Sequence, residues 1–216
     1  MMYRVLITAI VVVAVAVTPL MVFASSIPSV GSLAPEFTLT SQEGTPVSLK
    51  DYGGKWVVLY FYPKDFSSGC TIEAHNFQRD QPKYQQRNVV VLGVSVDSSD
   101  SHKQFCTKEG LNFKLLADTD HKVSTAYGSL TDLWLVKFAS RHTFIINPER
   151  RVAKVFTEVD PNQHSAEVLA ALAELQKQSA DSRQSRQAVS GDLMQEFFEA
   201  SWVSNEIACR ALGKDC

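Results

Sequence analysis

The residues with the widest chemical reach in this sequence are four cysteines, Cys70, Cys106, Cys209 and Cys216. No two have the C-x-x-C spacing of a dithiol reductase or a zinc ribbon, so any thiol chemistry starts from cysteines placed singly. Cys70 stands out by its flanks. The strand-forming run "WVVLYFY" leads into it, the polar turn "PKDFSSG" intervenes, and "TIEAHNFQRDQPKYQQR" continues with a helical pattern. A thiol attacks as the thiolate, and a helix N-terminus offers unpaired N–H groups and a favourable dipole to negative charge. Ser67, Ser68 and Gly69 suit such a turn, since hydroxyls cap and glycine lets the backbone come close. Position alone leaves two readings open, a reactive nucleophile or a buried inert cysteine.

The elements that must position this thiol read as an alternating chain of strands and helices. "PEFTLTSQEGTPVSL" alternates about a Gly-Thr-Pro turn and predicts a small hairpin. "KWVVLYFY" and "NVVVLGVSVD" are continuous apolar runs, the pattern of buried central strands. Helices are expected over "TIEAHNFQRDQPKYQQR", over "SDSHKQFCTKEG" with Gly110 at its stop, and over "DHKVSTAYG", closed by Gly128. "FKLLAD" reads as a short strand and "RHTFIINPERRVAKVFTEV" as a hairpin around Asn147-Pro148. "HSAEVLAALAELQKQ" reads as an amphipathic helix. This order predicts an α/β sandwich with a mixed central sheet flanked by helices.

Composition limits the function classes. The chain has 216 residues, enough for one sizeable domain with appendages. Its net charge of -2 and the lack of any basic run exclude nucleic acid as a partner. Residues 1–24 read as a secretory signal peptide, with small residues at Val22-Phe23-Ala24 for cleavage. The alternative is an uncleaved anchor, because residues 5–23 carry no charge and are long enough to span a membrane. Either way the domain is expected to be exported, to a periplasm or a thylakoid lumen, with membrane association only if that segment is retained.

Residues 25–178 are expected to form the domain, 179–191 a linker poor in apolar residues, and 192–216 a C-terminal helical extension stopped by Gly213. In an oxidising compartment four cysteines permit two disulfides. Cys209 and Cys216 are too far apart to bond within one unbroken helix, but a turn at Gly213 would allow a structural tail disulfide. Phe197, Phe198 and Trp202 are read as packing residues. His75, His102, His121, His142 and His164 form no metal-ligand spacing and are expected at the surface or in packing. No metal, haem or flavin signature is present.

Around Cys70, Pro63-x-x-x-Ser67-x-x-Cys70 resembles the peroxiredoxin active-site motif P-x-x-x-[T/S]-x-x-C. The wider "FYPKDFSSGCTIEAHNF" is similar to the peroxiredoxin Q subfamily, also called bacterioferritin comigratory proteins. "GSLAPEFTL", "VLGVSVDSSDSHKQF" and "RHTFIINPE" match in the same order, so the resemblance spans roughly residues 28–176 and leaves both ends outside. It implies a thioredoxin-like fold with the C-terminal helix as an addition, and a peroxidase without cofactor or metal. Cys70 matches the peroxidatic position, which attacks the peroxide O–O bond and becomes a sulfenic acid. Ser67 matches the hydroxyl that hydrogen-bonds the substrate, and Pro63 the residue that shields the thiolate and shapes the loop. Arg141 matches the arginine that stabilises the thiolate and polarises the peroxide; taken alone, it would read as a surface ion pair.

Two departures from the family pattern bear on function. Many members carry Thr-Pro where this chain has Ser67-Ser68, which keeps the hydroxyl and loosens the loop. Many also carry a resolving cysteine five residues after the first, where this chain has His75. Other members carry it on the next helix, and by that resemblance Cys106 is the expected resolving partner in an intramolecular disulfide. The rival reading has an external thiol resolve Cys70, with Cys106 merely packed. A disulfide needs the two Cα atoms within about 7 Å, so the start of the first helix and the second helix are expected to loosen. The implied function is reduction of hydrogen peroxide and small organic hydroperoxides by a monomer, regenerated by a thioredoxin-like dithiol protein. The alternative is a non-enzymatic exported binding or holdase module that keeps the fold and uses Cys70 and Cys106 as a permanent staple.

Overall fold

Every residue of Trp56–Phe61 is buried, and a strand with no polar face belongs in the middle of a sheet. The computed structural model describes residues 26–211, with side chains through residue 187. The expectations for residues 1–24, for packing by Phe197, Phe198 and Trp202, and for a Cys209–Cys216 bond lie outside the described side chains. In chain order the strands are β1 (Thr38–Ser41), β2 (Pro46–Ser48), β3 (Trp56–Phe61), β4 (Val89–Ser95), β5 (Lys114–Ala117), β6 (Leu130–Asp132), β7 (Lys137–Ala139), β8 (Thr143–Ile146) and β9 (Val152–Phe156). The helices are α1 (Ser68–Gln86), α2 (Ser99–Glu109), α3 (Lys122–Ala126) and α4 (His164–Ala211).

Seven strands form one sheet in the order β2-β1-β5-β4-β3-β8-β9. β3 pairs in parallel with β4 and β4 with β5, while β8 runs antiparallel to β3 and β9 to β8. The expected mixed sheet flanked by helices is therefore present. Alternate residues of β3 serve two cores, as the two-residue period of a strand requires. Trp56, Val58 and Tyr60 pack with Phe77 and Tyr84 of α1, Phe105 and Cys106 of α2, and Leu172 of α4. Val57, Leu59 and Phe61 pack on the other face with Phe37, Val123 and Tyr127. Tyr60 is opposite Gly93 in the β3–β4 register. A Cβ at Gly93 would come within 2.8 Å of the Tyr60 ring and 2.6 Å of Leu115, so glycine makes the room that the ring fills.

The structure differs from the sequence reading at two places. Residues 179–191, expected as a linker, are helical and lie inside α4, which runs unbroken for 48 residues. The segment has few apolar residues to bury, but its Ala, Arg and Gln are good helix formers and it holds no proline, so an established helix propagates through it. Residues 181–187 are exposed accordingly. The second difference is the β6–β7 hairpin, which the sequence reading left without an element. Its tip carries Leu133, Trp134, Leu135 and Val136, all exposed, with Trp134 at 91%.

Candidate active site

β3 ends at Phe61, Tyr62–Ser67 form the loop at its carboxyl end, and α1 begins at Ser68. Cys70 is thus the third residue of α1, and it is 2% exposed. Ser67 occupies the N-cap with extended backbone, φ -73° and ψ 145°. Its Oγ does not cap; it donates to the Lys64 carbonyl at 3.1 Å, which leaves the oxygen free to accept a hydrogen bond from a ligand. The turn is made at Phe66, whose φ of 61° is left-handed backbone that bulky residues rarely adopt. The Phe66 ring packs edge-on against Phe105 of α2, with centroids 5.1 Å apart. Pro63 is half-buried, and with Lys64, Val96, Asp97 and the hairpin residues Val136, Lys137 and Phe138 it lines a cleft of about 400 Å³.

Arg141 arrives from the far side of β3. The antiparallel pairing places Thr143 opposite Tyr60, and the His142 carbonyl accepts from the Phe61 amide at 2.8 Å. Arg141 therefore lies over the carboxyl end of β3, where α1 starts. Its Nη2 donates to Cys70 Sγ at 3.4 Å and its Nη1 donates to Glu73 Oε2. Glu73 is three residues after Cys70, on the same face of α1. Gly69 keeps the approach open: a Cβ there would be 3.3 Å from Arg141 Nη2 and 3.7 Å from Pro161.

The side chain of Glu73 is 1% exposed, and its second oxygen, Oε1, has no partner among the described residues. Burial pushes its carboxyl up to about 7, against the pull of Arg141. Burial also works against the Arg141 charge, but Glu73 and Cys70 hold that group above its ordinary value. One guanidinium, permanently charged, is thus oriented by a buried carboxyl and directed at a buried sulfur. Negative charge that develops beside Cys70 meets a cation able to stabilise it.

Cys106 sits on α2, 8% exposed, in the same core as Cys70; both are free thiols. Burial, aided by Asp65 and Glu43, pushes Cys106 up to about 12, so in this conformation it stays protonated at neutral pH. An open cleft of about 450 Å³ between Gln42, Glu43, Lys103 and Leu111 reaches it from outside. His75, in the position where many relatives carry the resolving cysteine, instead pairs with Glu109 at the end of α2, Nε2 to Oε2 at 3.0 Å.

The sequence reading missed Glu73 and a buried cluster centred on Asp65. That carboxylate accepts from Tyr62 Oη at 2.8 Å, Ser101 Oγ at 2.7 Å and His102 Nδ1 at 2.9 Å. Burial alone would raise Asp65, yet these donors hold it below the usual carboxylate range. His142 and His164 hydrogen-bond to Ser129 and Thr143 respectively.

Comparison with known proteins places this geometry. Residues 30–155 match the AhpC/TSA family. Peroxiredoxin Bcp of Bacillus subtilis is 38% identical over 154 residues, covering 68% of this chain and 96% of that protein. The chain belongs to the AhpC/TSA family and, within it, to the peroxiredoxins.

Peroxiredoxin Q of Sedum lineare, a chloroplastic protein, is 40% identical over 146 residues, covering 67% of this chain and 78% of its own. Among solved structures, a cysteine-to-serine mutant of Xylella fastidiosa PrxQ superposes with a TM-score of 0.65 at 34% identity, covering 69% of this chain and 98% of its own. A structure of the Xanthomonas campestris bacterioferritin comigratory protein, from work on its alkyl peroxide reduction, gives 0.60 at 34% identity, covering 64% of this chain and 90% of its own. As a peroxiredoxin of this kind, the chain brings Cys70, Arg141, Ser67 and Pro63 to one end of β3. Cys106 lies on α2, and no bond joins it to Cys70.

Proposed function

We propose that this peroxiredoxin is a thiol-dependent peroxidase that reduces hydrogen peroxide and small organic hydroperoxides. The observation that carries the reading is the Arg141 guanidinium on Cys70 Sγ, held in place by Glu73. The Cys70 thiolate attacks one peroxide oxygen; the S–O bond forms as the O–O bond breaks, and the departing oxygen leaves as water or alcohol after taking a proton. Cys70 becomes the sulfenic acid, oxidised by two electrons. Arg141 stabilises the charge developing on the leaving oxygen, the Ser67 oxygen accepts the peroxide O–H, and Pro63 screens the thiolate from bulk water.

In the second step Cys106 resolves the sulfenic acid. Its sulfur attacks Cys70, water leaves, and an intramolecular disulfide forms that a thioredoxin-like dithiol protein then reduces. The burial of Cys106 supports a cycle in which α2 opens first. An enzyme with its own resolving thiol needs no second subunit, so a monomer is expected. Residues 1–24 fit export, to a periplasm or lumen; among the described residues no helix is long and apolar enough to cross a membrane.

Peroxide consumption by the reduced protein with a dithiol reductant tests the activity. Catalytic turnover that disappears in Cys70→Ser is the expected result. Full turnover in Cys70→Ser contradicts the role of Cys70, and no turnover in the wild-type protein returns it to the class of binding modules.

A further inference from the structure

One buried carboxylate ties the loop that carries the catalytic residues to the helix that carries Cys106. Asp65 lies between Pro63 and Ser67, and its side chain is 1% exposed. Two of its three side-chain donors, Ser101 and His102, come from α2. An ionised carboxylate can only accept, so His102 Nδ1 carries the proton of their 2.9 Å bond. The other ring nitrogen, Nε2, is buried with no partner among the described residues, so the imidazole is held through Nδ1 alone, by Asp65 at 2.9 Å and by Tyr62 Oη at 3.3 Å. The Asp65 amide is itself fixed to Asp97 Oδ2 at 2.9 Å, and Asp97 also accepts from Ser95 Oγ at 2.6 Å. The loop end of the contact thus has a second tie, to the segment that joins β4 to α2.

His102 lies one helical turn before Cys106. An α-helix pairs the amide of residue 106 with the carbonyl of residue 102, so unwinding the turn that frees Cys106 pulls His102 away from Asp65. We propose that the Asp65–His102 contact is a latch that holds Cys106 away from Cys70 and thereby sets the rate of disulfide formation. This rests on the reading of Cys106 as the resolving thiol. His102 and Ser101 are positioning residues here: they act on the second step and leave the attack on peroxide alone. The latch has a chemical consequence. While it is closed, the Cys70 sulfenic acid persists and a second peroxide can oxidise it to the sulfinic acid, releasing water or alcohol; once open, Cys106 displaces water and the disulfide protects the sulfur. The latch sets the ratio of these two outcomes.

The test is a rapid-mixing experiment on the reduced full-length protein. Intrinsic fluorescence follows Cys70 oxidation, and acid quench with thiol alkylation and mass spectrometry follows the Cys70–Cys106 bond. Releasing one hydrogen bond to a charged group in His102→Leu is expected to speed disulfide formation roughly tenfold, with the peroxide rate within about twofold of wild type. Sulfinic acid formed per turnover should fall in step. His102→Asn, whose amide can donate from nearly the place of Nδ1, should restore the wild-type rate. Ser101→Ala removes one donor and keeps the imidazole; it should shift the rate in the same direction, and it decides the matter if His102→Leu does not fold. Disulfide formation unchanged or slowed in the folded variants overturns the latch. Absence of a Cys70–Cys106 bond in the wild-type protein overturns the assignment of Cys106, and the latch falls with it for that separate reason.

Discussion

Arg141 Nη2 lies 3.4 Å from Cys70 Sγ, although 71 positions separate the two in the chain. The contact exists because β8 is the antiparallel neighbour of β3. Arg141, two residues before β8, then meets Cys70 in the first turn of α1. Replacing the planar, two-armed guanidinium with a point charge should break this arrangement. Arg141→Lys is expected to lower the second-order rate of Cys70 with hydrogen peroxide by about 10²–10³, the usual cost of one oriented charge-stabilising donor. Stopped-flow oxidation of the reduced protein measures it.

Gly69→Ala should separate activity from stability. Alanine favours the helix by about 0.5–1 kcal/mol relative to glycine, but the added methyl would stand 3.3 Å from Arg141 Nη2. The arginine must yield, so the peroxide rate is expected to fall several-fold while thermal unfolding stays near the wild-type midpoint.

Glu73 predicts a pH signature in stability. Its folded carboxyl is raised to about 7 from the ordinary 4.5, so between these values the folded protein binds more protons than the unfolded one. Stability from this group is therefore full below about pH 4.5 and is lost as pH rises through about 7, a change of a few kcal/mol. Glu73→Gln, which keeps an oxygen for Arg141 Nη1, should flatten that slope in denaturant titrations run across the window. An unchanged slope would show that Glu73 titrates normally.

Gly93→Ala addresses the core beneath the site. A methyl there meets the Tyr60 ring at 2.8 Å and Leu115 at 2.6 Å, and overpacking of this kind costs about 1–3 kcal/mol. A lower urea midpoint with an unchanged m-value is the expected outcome. His75→Ala is the contrast: its pair with Glu109 is half-exposed, and loss of such a pair should cost under about 1 kcal/mol and leave disulfide formation in place.

Much of this was legible in the sequence. Continuous apolar runs announced β3 and β4, and the resemblance of Pro63-x-x-x-Ser67-x-x-Cys70 and of "RHTFIINPE" to the peroxiredoxin pattern pointed to residues that the fold then gathers. What was not legible depends on partners distant in sequence. Glu73 sits in a helix with polar neighbours, and nothing local shows that Arg141 will seal it from water. Asp65 and His102 are 37 positions apart, and each reads alone as an ordinary polar residue. The hairpin tip at Leu133–Val136 and the helical stretch at 179–191 were missed for opposite reasons. The first is apolar and exposed, the second polar and helical, and both defeat the assumption that hydrophobic pattern reports burial.

The most direct test of the central claim is the disulfide map of the protein after one cycle of peroxide. The mature protein would be reduced, given about one equivalent of hydrogen peroxide, alkylated and digested for mass spectrometry. A Cys70–Cys106 linkage that appears with peroxide and disappears with a thioredoxin-like dithiol is the result this account predicts. Cys70 left unmodified by peroxide would contradict it.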